Sequence, residues 1–183
     1  MIFLTIGTHE PFDRLVKALD EWAGQAAQPH DIVAQVVSPA TDAYTPRNFE
    51  TIRRLSPADY ESYVTQADLI VSHAGMGSIL TAFTHGKPIV ILPRRGHLRE
   101  TRNDHQYTTV QKLEKREGLF IAHDEEELPA VMDAALSAIA GGKPPCLAPV
   151  ARPEFTDALR SFLLSKHPCS TRPPRLDAFP EKV

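Results

Sequence analysis

Five short apolar runs, at residues 2–6, 32–37, 69–72, 89–92 and 119–122, alternate along the chain with segments of helical periodicity. Strands that are apolar on both faces need cover on both faces, so this alternation predicts a parallel sheet with helices packed on each side. The helical segments carry their own start signals. Phe12, Leu15, Val16, Leu19, Trp22 and Ala23 recur at helical spacing after the first run. Ser56-Pro57 supplies an N-cap with proline at the first helical position, for a helix ending near Ala67. Two more helices are expected to begin near Ser78 and near Asp104. Asp124-Glu125-Glu126-Glu127 precedes Leu128, Val131, Met132, Ala135 and Leu136 at helical spacing, and reads as a first helical turn whose carboxylates complement the helix dipole rather than as a metal site.

At 183 residues the chain can bury a full hydrophobic core without disulfides. Cys146 and Cys169 lack metal-ligand spacing and read as free cytosolic thiols. A net charge of −3 offers no general field for nucleic acid. Basicity is local instead: residues 94–102 hold four arginines and one acid. No apolar run approaches the roughly 18 residues of a membrane span, and residues 1–6 lack a basic leader, so the expected location is the cytoplasm, with recruitment to the inner face of the membrane through a partner.

Two polar loops follow strands. His73-Ala74-Gly75-Met76-Gly77-Ser78 joins the run at 69–72 to an amphipathic stretch ending at Gly86-Lys87-Pro88, which is a strand, glycine turn and helix. Glycine there lets a diphosphate approach the backbone amides at a helix start, and Ser78 adds a hydroxyl or caps the helix. His73 either lines the ligand pocket or satisfies its hydrogen bonds within the strand end. After the run at 89–92, residues 94–106 form a polar loop too long for a plain connection. Asp104 and Gln106 are of the kind that bind sugar hydroxyls, and the arginines, Arg94 and Arg95 among them, suit phosphate. Together these features predict a Rossmann-like α/β domain over residues 1–140, a Pro/Gly-rich linker at 141–152, an amphipathic helix at 153–166 and a flexible tail at 167–183.

Gly7-Thr8, His73 to Ser78, Gly86-Lys87-Pro88 and Arg102-Asn103-Asp104-His105-Gln106 resemble, in order, glycosyltransferase family 28 of the C-terminal-domain type. Ile6-Gly7-Thr8 with Pro11-Phe12-Asp13-Arg14-Leu15-Val16 is similar, more narrowly, to the small donor-binding subunit of split, two-chain glycosyltransferases of exopolysaccharide or dolichol-glycan type. The resemblance implies the C-terminal half of a GT-B fold and an inverting transfer of a hexose-type sugar from a UDP-sugar. It implies two partners, a membrane-associated acceptor-binding subunit and a lipid-linked saccharide acceptor. Without the first, the cleft-facing surface is free to self-associate. Carried over by position, Gly7, Thr8, His73, Gly75, Met76, Gly77 and Ser78 meet the donor, with the diphosphate on residues 75–78. The end of the strand at Pro93 faces the uracil, Asp104 and Gln106 read the sugar, and Arg94, Arg95, Asn103 and His105 are counted with them as substrate-binding residues. Thr81 stands where single-chain relatives place a ribose-binding glutamate.

Charge growing on the leaving diphosphate can be met by a helix N-terminus and arginines, and no Asp-x-Asp pair is present, so neither a metal nor a cofactor is expected. His9 is the local candidate for the base that takes the acceptor proton, the alternative being a base on the partner. Two other functions share these motifs: a non-catalytic nucleotide-sugar-binding regulatory module, and a UDP-sugar epimerase-like enzyme, which needs both halves in one chain.

Overall fold

The computed structural model describes residues 1–8, 10–37, 44–113, 116–142 and 153–164. Its strands are β1 (Ile2–Thr5), β2 (Ile32–Gln35), β3 (Glu50–Ile52), β4 (Leu69–His73), β5 (Ile89–Leu92) and β6 (Leu119–Ile121). They form one sheet in the order β3-β2-β1-β4-β5-β6, with every neighbouring pair parallel. The helices between them are α1 (Asp13–Gln25), α2 (Pro57–Gln66), α3 (Met76–Thr84), α4 (His105–Leu113) and α5 (Leu128–Ala140).

Alternation along β1 sorts the two cores. Ile2 and Leu4 point to one face, against Leu15 and Leu19 of α1 and Met132 of α5. Phe3 points to the other, against Val64 of α2, Ile79 of α3 and Val110 of α4. Both faces are therefore helix-covered, as the apolar strands require.

The chain runs outward from β1 to β3, then returns to lay β4 on the other side of β1. Loops leaving the carboxyl ends of β1 and β4 consequently diverge to opposite sides of the sheet, and the crevice between them is where ligands of open α/β sheets bind.

Several local expectations need correction. β3 was not foreseen: Glu50-Thr51-Ile52 is an edge strand with one apolar residue, too short for a period to show. β2 stops at Gln35 rather than at 37, although Val36 donates one further bond to the Ile52 carbonyl at 3.0 Å. α3 begins at Met76, two residues before Ser78, because Gly75 serves as its N-cap. The acidic run lies one turn ahead of α5, not in its first turn. Asp124 Oδ1 accepts the amides of Glu126 and Glu127 at 3.0 and 2.9 Å, which fixes the turn that launches Leu128.

The chain divides into two compact units, Met1–Pro149 and Val150–Val183. In the second, α6 (Pro153–Leu164) occupies most of the segment expected to be helical, and its Phe162 and Leu164 are exposed. The expected linker from residue 143 and the tail from 167, with Cys146 and Cys169, lie outside the described residues.

Candidate functional site

His73, the last residue of β4, stands at the switch point, although neither it nor Gly75, Met76 or Gly77 lines the neighbouring cleft. The Gly75 amide donates to His73 Nδ1 at 2.7 Å, which leaves the ring proton on Nε2. Nε2 in turn lies against Gly7: a Cβ there would come within 2.9 Å of it, and Gly7 holds φ at +83°, where L-residues are strained. A Cβ at Gly75 would collide with the same imidazole. Both glycines are thus required by the packing of one side chain. Burial, reinforced by the charge of Arg94, pushes the His73 pKa down to about 4, so the ring is neutral at neutral pH.

Ile79 makes the first helical bond of α3, to the Gly75 carbonyl at 3.2 Å. The amides of Met76, Gly77 and Ser78 precede it, as the open donors of a helix start do. Met76 is 46% exposed, and a Cβ on Gly77 would meet nothing within 4 Å, so one side of this N-terminus is open. Ser78 is buried inside the first turn and does not cap it.

Beside this N-terminus a cleft of about 1020 Å³ opens at the carboxyl ends of β1 and β2, between α2 and α3. Gly7, Thr8, Ser78 and Thr81 line it, four of the residues named from sequence. The rest were missed. Arg53, Arg54 and Leu55 follow β3, Tyr60 and Glu61 come from the first turns of α2, and Gln35 ends β2. Two arginines directly ahead of a Ser-Pro helix start were the available signal, hidden because β3 itself was not recognised. The floor is rigid: Thr5 Oγ1 donates to Gln35 Oε1 at 2.8 Å, Gln35 Nε2 donates to the Gly7 carbonyl at 3.0 Å, and Ser72 Oγ donates to the Thr5 carbonyl at 2.7 Å. Neither Arg53 nor Arg54 forms an ion pair or hydrogen bond among the described residues.

The polar loop after β5 behaves differently. Arg94, only 5% exposed, stacks over the Phe12 ring at 4.5 Å. It donates to the carbonyls of Ile6, Glu10, Pro11 and Glu100 at 2.7 to 3.0 Å. Arg14 holds Glu100 through two bonds of 2.8 Å, the Pro93 carbonyl at 2.8 Å and Glu125 at 2.9 Å. Arg95 Nε donates to Tyr107 at 2.9 Å. Gln106 is buried and accepts the Arg94 amide at 3.0 Å, while Asp104 accepts the Gly96 amide at 2.8 Å. Asn103 Oδ1 accepts the His105 amide at 3.3 Å and contacts its ring. These groups brace one another, and none of residues 93–106 lines the cleft. Arg94, expected at a phosphate, instead pins the turn after β1 to the loop after β5. His9, in that turn, lies outside the described residues.

Such a sheet order, with a cleft at the switch point, is that of a Rossmann-like α/β domain of the kind that forms one half of a GT-B fold. The model of the glycosyltransferase family 28 C-terminal domain matches residues 1–153, and the chain belongs to that family. It is 40% identical over 55 residues to the mouse (Mus musculus) UDP-N-acetylglucosamine transferase subunit ALG13, a stretch that is 30% of this chain and 4% of that protein. Among solved structures, the fold resembles the kitacinnamycin glycotransferase (TM-score 0.54, 21% identity, 78% of this chain and 35% of that one). It also resembles MurG of Acinetobacter baumannii (TM-score 0.52, 19% identity, 76% and 40%). The solution structure of ALG13 aligns with a TM-score of 0.52 and 18% identity, over 86% of this chain and 93% of that one.

Proposed function

We propose that the chain is the donor-binding subunit of an inverting glycosyltransferase, which moves a hexose-type sugar from a UDP-sugar to a lipid-linked acceptor in complex with a membrane-associated partner. The observation that carries this reading is the cleft at the switch point, lined by Gly7 and Thr8 after β1, by Ser78 and Thr81 of α3, and by Arg53 and Arg54, which hold nothing among the described residues. Family membership supports the reaction class. The subunit assignment draws on coverage: the chain spans nearly all of the ALG13 structure but 35% and 40% of the other two.

In this reading the diphosphate lies on the amides at the start of α3 beside Gly7 and Thr8, where partial positive charge is fixed before the bond breaks. Neutral His73 offers its Nε2 proton to the same anion without adding a charge. The nucleoside extends along the cleft towards Leu55 and Tyr60. The helix N-terminus and arginines stabilise the departing UDP, so transfer proceeds without a metal, and chelator leaves the rate unchanged. Residues 93–106 act by shaping the turn that carries Gly7 and His9, and by presenting the exposed edges of Asn103, Asp104 and His105 to the sugar. The partner supplies the acceptor and the base, or His9 acts as that base at the junction. No described helix is long and apolar enough to cross a membrane, so on this reading attachment comes through the partner. On this reading α6, on which Leu164 is exposed, is the docking element, and a chain cut after residue 152 binds UDP but not the partner.

Titration calorimetry of the chain with UDP and with UDP-sugars tests the central step. Saturable one-site binding is expected, with turnover only after addition of the partner. Absence of binding by any uridine diphosphate compound rejects the reading.

A further inference from the structure

A nucleoside diphosphate brings a ribose whose vicinal hydroxyls are two O–H donors on adjacent carbons. A carboxylate satisfies such a diol best, because its two oxygens accept both protons at once. The polar side chains of the cleft are mostly committed. Gln35 is held at both ends, by Thr5 and by the Gly7 carbonyl. Ser56 Oγ donates to Asp59 at 2.6 Å and accepts the Asp59 amide at 3.1 Å. Thr81 Oγ1 donates to the Gly77 carbonyl at 2.9 Å and is also a hydrogen-bonding neighbour of the Tyr60 hydroxyl, so both groups are engaged.

Among the described residues one carboxylate lines the cleft, that of Glu61. It sits one turn after the Pro57 start of α2, next in sequence to Tyr60, and lines the same cleft as Thr81 of α3. Its oxygens make no hydrogen bond or ion pair among the described residues, and Arg53 and Arg54 nearby in the lining leave it unpaired. A free carboxylate is unfavourable next to a diphosphate. Glu61, however, lies on α2 next to Tyr60, towards which the proposed nucleoside extends, and not on α3, whose first amides suit the anion.

We infer that Glu61 is the ribose-diol acceptor of this cleft, and that it makes the site selective for ribonucleoside diphosphates over their dideoxy counterparts. The inference rests on the proposed donor site and adds to it the residue that reads the sugar of the nucleotide.

Calorimetry on the full chain with UDP and with 2′,3′-dideoxyuridine diphosphate, for wild type and Glu61→Gln, tests it. Wild type should bind UDP about tenfold or more tighter than the dideoxy compound, as expected for hydrogen bonds to a charged acceptor. Glu61→Gln should lose about that factor for UDP and stay within about twofold of wild type for the dideoxy compound. Retained dideoxy binding also shows that the variant is folded. Adding Thr81→Glu to Glu61→Gln, which returns a carboxylate to the opposite wall, should recover part of the preference for UDP. Equal weakening of both ligands, or no change for either, overturns the assignment of Glu61 while leaving the donor site intact. Failure of wild type to bind either compound rejects the donor site itself, and the inference with it.

Discussion

The loop after β5 and the cleft between α2 and α3 are both rich in arginine, yet they use it in opposite ways. In the loop, Arg94 is buried against four carbonyls, and the Arg14 partner Glu100 also accepts the Arg95 amide at 2.8 Å. In the cleft, Arg53 and Arg54 follow an edge strand and hold nothing among the described residues. A cation that is already satisfied has little affinity left for a ligand, whereas an unsatisfied one facing a concave wall does. The density of charged residues along the sequence marks the first region, and only their hydrogen-bond accounts reveal the second.

The largest effect should come from the loop, and on stability rather than binding. Arg94→Ala removes the donor from four carbonyls and a stacked guanidinium from Phe12. Leaving such buried acceptors unmatched costs on the order of 3 kcal/mol or more, read as a lower urea midpoint with unchanged slope. Arg53→Ala and Arg54→Ala should leave that midpoint alone and weaken UDP binding by about tenfold each, the scale of one charge-assisted contact. A stable Arg94→Ala protein that had lost UDP affinity alone would erase the contrast between the two regions.

His73 sits where the two regions meet, and its titration gives the next largest signal. In the unfolded chain a histidine takes up its proton near pH 6.5, whereas folded His73 does so only at about pH 4. Its contribution to stability is therefore complete above pH 6.5 and is lost as pH falls from there towards 4, because the unfolded state alone gains the proton in that window. The expected loss is on the order of 3 kcal/mol. Urea midpoints measured from pH 7 to pH 4 should fall more steeply for wild type than for His73→Asn. Parallel curves would mean that the ring is solvated rather than wedged between Gly7 and Gly75.

What the sequence disclosed follows the physics of each element. β4 and β5 were legible almost to the residue, since Leu69-Ile70-Val71 and Ile89-Val90-Ile91 are fully buried and so must be apolar throughout. α2 was legible from its cap: Ser56 and Pro57 occupy the expected positions, and the helix ends at Gln66. β3 was not, because an edge strand with two exposed residues needs no apolar pattern. Its omission concealed Arg53, Arg54 and Leu55, whose place in the cleft depends on β3 pairing with β2. The strand, glycine turn and helix at 69–84 were located from sequence, but sequence could not tell that Gly7, far away in the chain, is shaped around His73 together with the neighbouring Gly75.

Ser56 carries the smallest of these effects and the sharpest test of the contrast, since it is a cleft residue whose hydroxyl is already committed. Its Oγ accepts the Asp59 amide at 3.1 Å as the N-cap of α2 and donates to the Asp59 carboxylate at 2.6 Å. If commitment to protein partners is what separates bracing from binding, Ser56→Ala should resemble a change in the β5 loop despite its position. It should cost about 1 kcal/mol, the usual value of a lost serine cap, and leave UDP affinity within about twofold. A larger fall in affinity, with stability intact, would place the hydroxyl on the ligand. Hydrogen-bond commitment would then no longer sort the lining residues of this cleft.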